Sequence, residues 1–168
     1  MYPSCVLKVT FLFSVSIKSN ITLRDEERFT QEEIDAACKY VNADKFIEKL
    51  PDGYDHQVRE RGNNFSSGQR QLLSFARTII HKPNIMILDE ATANIDTETE
   101  VLIQDSLEKM MNVGTMLIVA HRLSTVQHAD KIIVLHKGEI QEMGTHQELI
   151  QKGGKYAKLV KLQSISTH

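Results

Sequence analysis

Residues 83–96 read PNIMILDEATANID, and the order of residue types in this stretch decides the fold class. Pro83 stops any helix that precedes it. Ile85 to Leu88 is an unbroken apolar run of strand length. Without alternation, such a run marks a strand buried on both faces, as in a parallel sheet. Asp89 and Glu90 follow at once. In open α/β sheets, ligands bind just beyond the carboxyl ends of the strands. One acid there can hold Mg²⁺ through its water shell and a second can orient an attacking water, or the pair can simply open a charged loop.

Upstream, RQLLSFARTIIHK spaces Leu72, Ala76, Ile79 and Ile80 on one helical face. RFTQEEIDAACKYV predicts a helix opened by a Thr30/Glu33 capping box, with Ile34, Cys38 and Val41 on one face. DKFIEKL predicts a short helix running to Pro51, and PDGYD a turn. Downstream, TETEVLIQDSLEKMM predicts a helix with Thr97 and Glu100 as a second capping box. GTMLIVAH predicts another doubly buried strand, and RLSTVQHAD a short helix or turn. KIIVLHKGEIQEMG predicts a hairpin turning at Lys137-Gly138, and THQELIQKGGKYAKLVKLQ a helix broken at Gly153-Gly154. Strand-helix-strand alternation after Pro83 argues an α/β fold with a parallel core, and the part before it is mainly helical.

The bulk properties are those of a folded domain. The 168 residues are 41% hydrophobic and 25% charged, with a formal net charge of -2. That balance, with no Trp and 6% aromatic residues, disfavours a nucleic-acid partner. The two cysteines, Cys5 and Cys38, have neither metal-type nor disulfide-framework spacing. CVLKVTFLFSVSI, residues 5–17, is apolar, but Lys8 interrupts it and it is shorter than the ~20 residues a spanning helix needs. It reads as one or two β-rich pieces of the domain.

Two further clusters carry chemistry. Ser66, Ser67 and Gly68 precede a long helix, where small side chains and unpaired N–H groups attract phosphate; the same residues are also an ordinary helix cap. His121 follows the strand TMLIVA and shares a sheet edge with Asp89 if the strands are parallel. A histidine there can donate to a terminal phosphate, or be one more surface histidine among 7.

Together these elements suit one nucleoside triphosphate, and the chain resembles the ATP-binding-cassette ATPases. FSSGQ (Phe65 to Gln69) resembles their LSGGQ signature, IMILDE their Walker B strand, and ANID (Ala93 to Asp96) their D-loop. VAHRLSTV resembles their switch-histidine loop and GEIQEMGTHQEL the segment after it. The match runs from roughly Val6 to Leu162 and is most similar to the exporter type. The resemblance implies a P-loop NTPase-like parallel sheet core, partial here, with an α-helical signature subdomain. Residues 1–21 would be a remnant of the core around the Q-loop. Residues 22–84 would be the helical subdomain, and residues 85–168 the C-terminal half of the nucleotide-binding core. It implies ATP and Mg²⁺ as cofactors, with Asp89 holding Mg²⁺ through water, Glu90 polarising the attacking water and His121 sensing the γ-phosphate. Ser66, Ser67, Gly68 and Gln69 would cap ATP in trans, and Asp96 would link two sites. The implied partners are a second cassette and a transmembrane domain, at the cytoplasmic face of a membrane.

The sequence also departs from the family. No G-x-x-x-x-G-K-[S/T] phosphate loop is present: Gly154-Lys155 is followed by Tyr156 and lacks the earlier glycine. No counterpart of the adenine-stacking aromatic is found, and Lys8 stands where the Q-loop glutamine is expected. The signature has Phe65 for Leu and Ser67 for the first Gly. The expectation is therefore the C-terminal two-thirds of a cassette, inactive alone and with apolar faces of its strands uncovered.

Overall fold

A computed structural model describes residues 5–6, 11–89, 95–120 and 123–165. The chain divides into two compact units, residues 1–119 and 120–168. The first holds a three-stranded sheet of β1 (Cys5–Val6), β2 (Ile85–Asp89) and β3 (Thr115–Val119), with β2 in the middle and both pairings parallel. β2 and β3 run in register from Ile85 opposite Thr115 to Asp89 opposite Val119, so both strands end at one edge. The α/β fold with a parallel core is as the sequence predicts.

Between β1 and β2 lie α1 (Ile17–Ile21), α2 (Gln31–Tyr40), α3 (Asp44–Ile47) and α4 (Ser67–Ile80); α5 (Thr97–Met111) joins β2 to β3. Their apolar stripes meet in one core: Ile17 and Ile21 of α1, Ile34 and Cys38 of α2, Leu72, Leu73 and Ala76 of α4, and Ile103 and Leu107 of α5. Burial pushes the Cys38 thiol up to about 12, against the lowering effect of its hydrogen bond with Tyr54. The Thr30/Glu33 capping box is present in both directions, at 3.2 and 3.0 Å.

Four details differ from the sequence reading. Of the stretch read as β-structure, residues 5–17, Cys5–Val6 is a strand, but Ile17 opens a helix that runs to Ile21. Ser16 caps it, and the fully buried Asn20 amide donates to the carbonyls of Phe13, Val15 and Ser16, which folds the segment onto itself. α3 ends at Ile47, short of Pro51. α5 is capped by Asp96, not by Thr97 with Glu100: Asp96 Oδ1 accepts the Thr99 N–H at 2.9 Å and the Asp96 carbonyl accepts the Glu100 N–H. A carboxylate is as good a cap as a hydroxyl, and the competition between neighbouring candidates is settled by packing. Finally, β2 and β3 are not buried on both faces. Met86 is inside, but Leu117 and Val119 are 55% and 51% exposed, the uncovered apolar face expected above.

A buried cation joins α4 to the N-terminal segment. Arg77 is 7% exposed; its guanidinium donates to Asn20 O (2.8 Å), Asn20 Oδ1 (3.0 Å) and Phe11 O (3.1 Å), and its charged carbon lies 5.8 Å from the centre of the Phe13 ring. Burial pulls its pKa down.

The second unit contains α6 (Leu123–Val126), the antiparallel hairpin of β4 (Ile132–His136) and β5 (Glu139–Gly144), α7 (His146–Lys152) and α8 (Lys155–Ile165). Lys137 (φ 52°) and Gly138 (φ 80°) both take the left-handed conformation that tight hairpin turns require. Gly153 (φ 66°) ends α7, as its place in the sequence predicts. The Glu142 carboxylate of β5 accepts the N–H groups of Tyr156 and Lys155 at 2.9 and 2.8 Å. It thereby caps α8 from a distant strand, and those bonds lower its pKa. Ile132, Leu149 and Tyr156 form the small core. Among the described residues no helix is long and apolar enough to cross a membrane.

Candidate functional site

The turn before α4 is built by its own side chains. Ser66 Oγ accepts the Gln69 N–H at 3.1 Å, and Gln69 Oε1 accepts the Ser66 N–H at 3.0 Å, so the two polar ends of FSSGQ cap each other. Phe65 is buried, edge-on to Phe46 and His56, and anchors the turn from below. A larger aromatic in place of the family's Leu therefore fills a core position. The loop before it is held in an uncommon shape: Glu60, Arg61 and Gly62 all have positive φ. Arg70 braces that loop by donating to the carbonyls of Gly62 and Phe65, and the Asn64 carboxamide spans Gln57 and Arg59.

α4 and α5 begin side by side. A Cβ placed on Gly68 would fall on the Thr99 methyl, 3.1 Å from Thr99 Cβ and 3.2 Å from Ile95 Cγ2. Only glycine permits this approach. The exposed Ser66 and the exposed Asp96 therefore mark two adjacent helix N-termini. These helices have 14 and 15 residues, long enough for a developed positive end. The Asp96 carboxyl is held below its ordinary range, first by the Thr99 backbone N–H and then by the Thr99 hydroxyl.

Among the predicted site residues, the structure thus brings Ser66, Ser67, Gly68 and Gln69 beside Asp96. Asp89, half-buried, ends β2 opposite Val119. Glu90 and His121 lie outside the described residues. Sequence reasoning missed Thr99, whose only signal was its place three residues after a capping acid. Among the described residues no cluster of three or more His, Cys, Asp or Glu forms a metal cage. A divalent ion shared between one carboxylate, water and phosphate oxygens needs none.

The chain is similar to known proteins over most of its length. The family described as "ABC transporter" matches residues 7–93. Streptococcus pneumoniae exp8, named as an ABC transporter ATP-binding protein, is 55% identical over 159 residues, covering 95% of this chain and 27% of its own length. YheH of Bacillus subtilis, named as a multidrug resistance ABC transporter ATP-binding/permease protein, is 49% identical over 163 residues, covering 97% of this chain and 24% of its own. A solved structure of a bacterial Atm1-family ABC exporter with ATP bound superposes with a TM-score of 0.79 at 38% identity, covering 91% of this chain and 27% of that one. The chain thus spans about a quarter of the length of these relatives.

Proposed function

The chain belongs to the ABC transporter family, and from that premise we propose that it forms part of the ATP-binding domain of an exporter-type transporter, coupling ATP binding and hydrolysis to transport across a membrane. The observation that carries this reading is the seating of the Ser66–Gln69 turn against the start of α5, which gathers two positive helix ends, a serine hydroxyl and the Asp96 carboxylate. Ser66 Oγ accepts from Gln69, which leaves its hydroxyl hydrogen to donate to a phosphate oxygen. This donor set fits a triphosphate. Asp89, at the carboxyl end of a parallel strand, fits a Mg²⁺ ion held through water. Bound there, the ion would neutralise charge on the β- and γ-phosphates. Glu90 polarises the attacking water and His121 senses the γ-phosphate; both roles rest on the family resemblance.

The 168 residues contain no phosphate loop. Each charge-assisted contact such a loop makes is worth roughly 1.5–3 kcal/mol, so these residues alone hold ATP weakly and turn none over. A second cassette supplies the loop for the ATP that Ser66 to Gln69 cap, and Asp96 links the two sites. Residues 22–84 serve as the helical subdomain facing a transmembrane partner. The domain works at the cytoplasmic face of the membrane and needs no nucleic acid.

Hydrolysis assays test the proposal. The chain alone is expected to be inactive, and mixing with a complete cassette should give ATP-dependent association that Ser66→Ala weakens. Joined to a phosphate loop, the chain should hydrolyse ATP, and Glu90→Gln should abolish turnover while sparing binding. Unchanged hydrolysis in that variant would refute the role of Glu90.

A further inference from the structure

We infer that His56 is a positioning residue for the Ser66–Gln69 turn, which it holds as the neutral imidazole and releases when a proton arrives on Nε2. The inference rests on the proposed function only for its consequence, not for its geometry. His56 touches the approach to the turn twice. Its ring is edge-on to Phe65, with centroids 5.9 Å apart, and its Nε2 lies 3.4 Å from Asn64 Nδ2. The orientation of that carboxamide is fixed from elsewhere. A backbone N–H can only donate, so the Arg59 N–H at 3.0 Å identifies the Asn64 oxygen, and Asn64 Nδ2 also donates to the Gln57 carbonyl at 3.1 Å. The group facing His56 Nε2 is therefore an N–H donor, and Nε2 is the accepting nitrogen. The proton of the neutral ring then sits on Nδ1. Nδ1 is buried and has no hydrogen-bond partner among the described residues. It lies 3.8 Å from Asp52 Oδ2, too far for a hydrogen bond but within ion-pair range.

One proton acts in opposite senses on the two sides of the ring. On Nε2 it sets an N–H against the N–H of Asn64, and Asn64 cannot turn over to offer its oxygen without giving up Arg59 and Gln57. On the other side, the imidazolium gains attraction to Asp52. Of the groups that meet the ring or its backbone, Asp52 is charged. Phe65, Asn64 and the Ile17 N–H that the His56 carbonyl accepts are not, and the nearby Asp55, Arg59 and Glu60 are exposed. Protonation thus draws the ring toward Asp52 and away from Asn64 and Phe65, the two residues that lead into Ser66. In the proposed ATP site, acid would loosen the turn that caps a nucleotide.

Amide hydrogen exchange on the full chain tests this across pH 5 to 8, the range in which an imidazole changes charge. Each rate is divided by that of an unstructured peptide at the same pH, so that base catalysis cancels. The reporters are Arg59, whose N–H is held by Asn64 Oδ1, and Gln69, whose N–H is held by Ser66 Oγ. Acid should cut protection at both by about fivefold, the order of one hydrogen bond. His56→Gln keeps an acceptor for Asn64 and takes up no proton, so it should hold the protection of the neutral chain at every pH. His56→Phe keeps the ring contact without the acceptor, and its protection should be low and flat. A purely structural His56 would lower protection in both variants and give the unmutated chain no step with pH. A flat profile in the unmutated chain, a step at Arg59 that does not reach Gln69, or the same step in His56→Gln overturns the inference. The profile of the unmutated chain decides even where a variant fails to fold. ATP-dependent association of the unmutated chain with a complete cassette is measured in parallel at neutral pH. Its absence would sink the proposed function and leave the exchange profile to decide on His56.

Discussion

Replacing Arg77 with Met should loosen the junction between α4 and the segment from Phe11 to Ile21. The apolar stem of the arginine is kept in volume, while three hydrogen bonds of 2.8 to 3.1 Å are lost. Asn20 Oδ1 retains the Phe13 N–H at 2.8 Å, so two acceptors, the carbonyls of Asn20 and Phe11, lose their guanidinium donor. An orphaned buried acceptor costs about 1–3 kcal/mol; Asn20 O is buried and Phe11 O only partly, giving about 2–5 kcal/mol for the two. Against this stands relief of the burial of a cation whose acceptors are all neutral oxygens, an offset of up to a few kcal/mol. The net expectation is a loss of about 2–3 kcal/mol, or roughly 8–12 °C at about 4 °C per kcal/mol for a unit of this size. Urea denaturation followed by far-ultraviolet circular dichroism measures it. Arg77→Lys should be no better than Arg77→Met, because a point charge stays buried yet cannot reach three oxygens at once. A loss for Arg77→Met under about 0.5 kcal/mol, or a lysine variant as stable as the original, would show that the bonds do not hold the junction.

Two further outcomes follow from the structure. Gly68→Ala forces a Cβ onto Thr99 and should cost about 1–3 kcal/mol in the same denaturation assay. Thr99→Ala added to it should recover more than half of that loss, since the clash is with the threonine methyl. For the second unit, Glu142 has a depressed pKa because it accepts the N–H groups of Tyr156 and Lys155. The folded pKa lies below the unfolded one, so this stabilisation is present above the ordinary glutamate range and is lost as the pH falls through the folded value. Glu142→Gln should flatten that acid limb, seen as a smaller change in α8 amide protection between neutral and acid solution.

Local rules carried much of the fold. The Thr30 and Ser66 caps, the Lys137-Gly138 turn, the stop at Gly153 and the strand after Pro83 each depend on residues a few positions apart, which a sequence displays directly. Two of the misses share one physical cause, which is that the deciding contact is distant. Arg77 and Asn20 are 57 positions apart, and without that pairing the apolar stretch up to Ile17 reads as β-structure. The doubly buried reading of β3 failed because burial of Leu117 and Val119 depends on what lies across the sheet, which no pattern within β3 can reveal; the departures from the family, not the strand itself, pointed to an uncovered face. At the candidate site, FSSGQ and Asp96 were recognisable as motifs. Their adjacency was not, because it arises from a missing side chain at Gly68 meeting a methyl more than thirty residues later.

The buried thiol of Cys38 has a practical corollary. With its proton held to about 12 and its sulfur inside the helical core, it presents almost no thiolate at neutral pH and no path for a reagent. Maleimide or spin-label chemistry aimed at a cysteine introduced on the surface would pass it by, so this native residue can stay in place while reporter groups are attached around it. Cys5, outside the region whose side chains are described, is the one to replace with serine first.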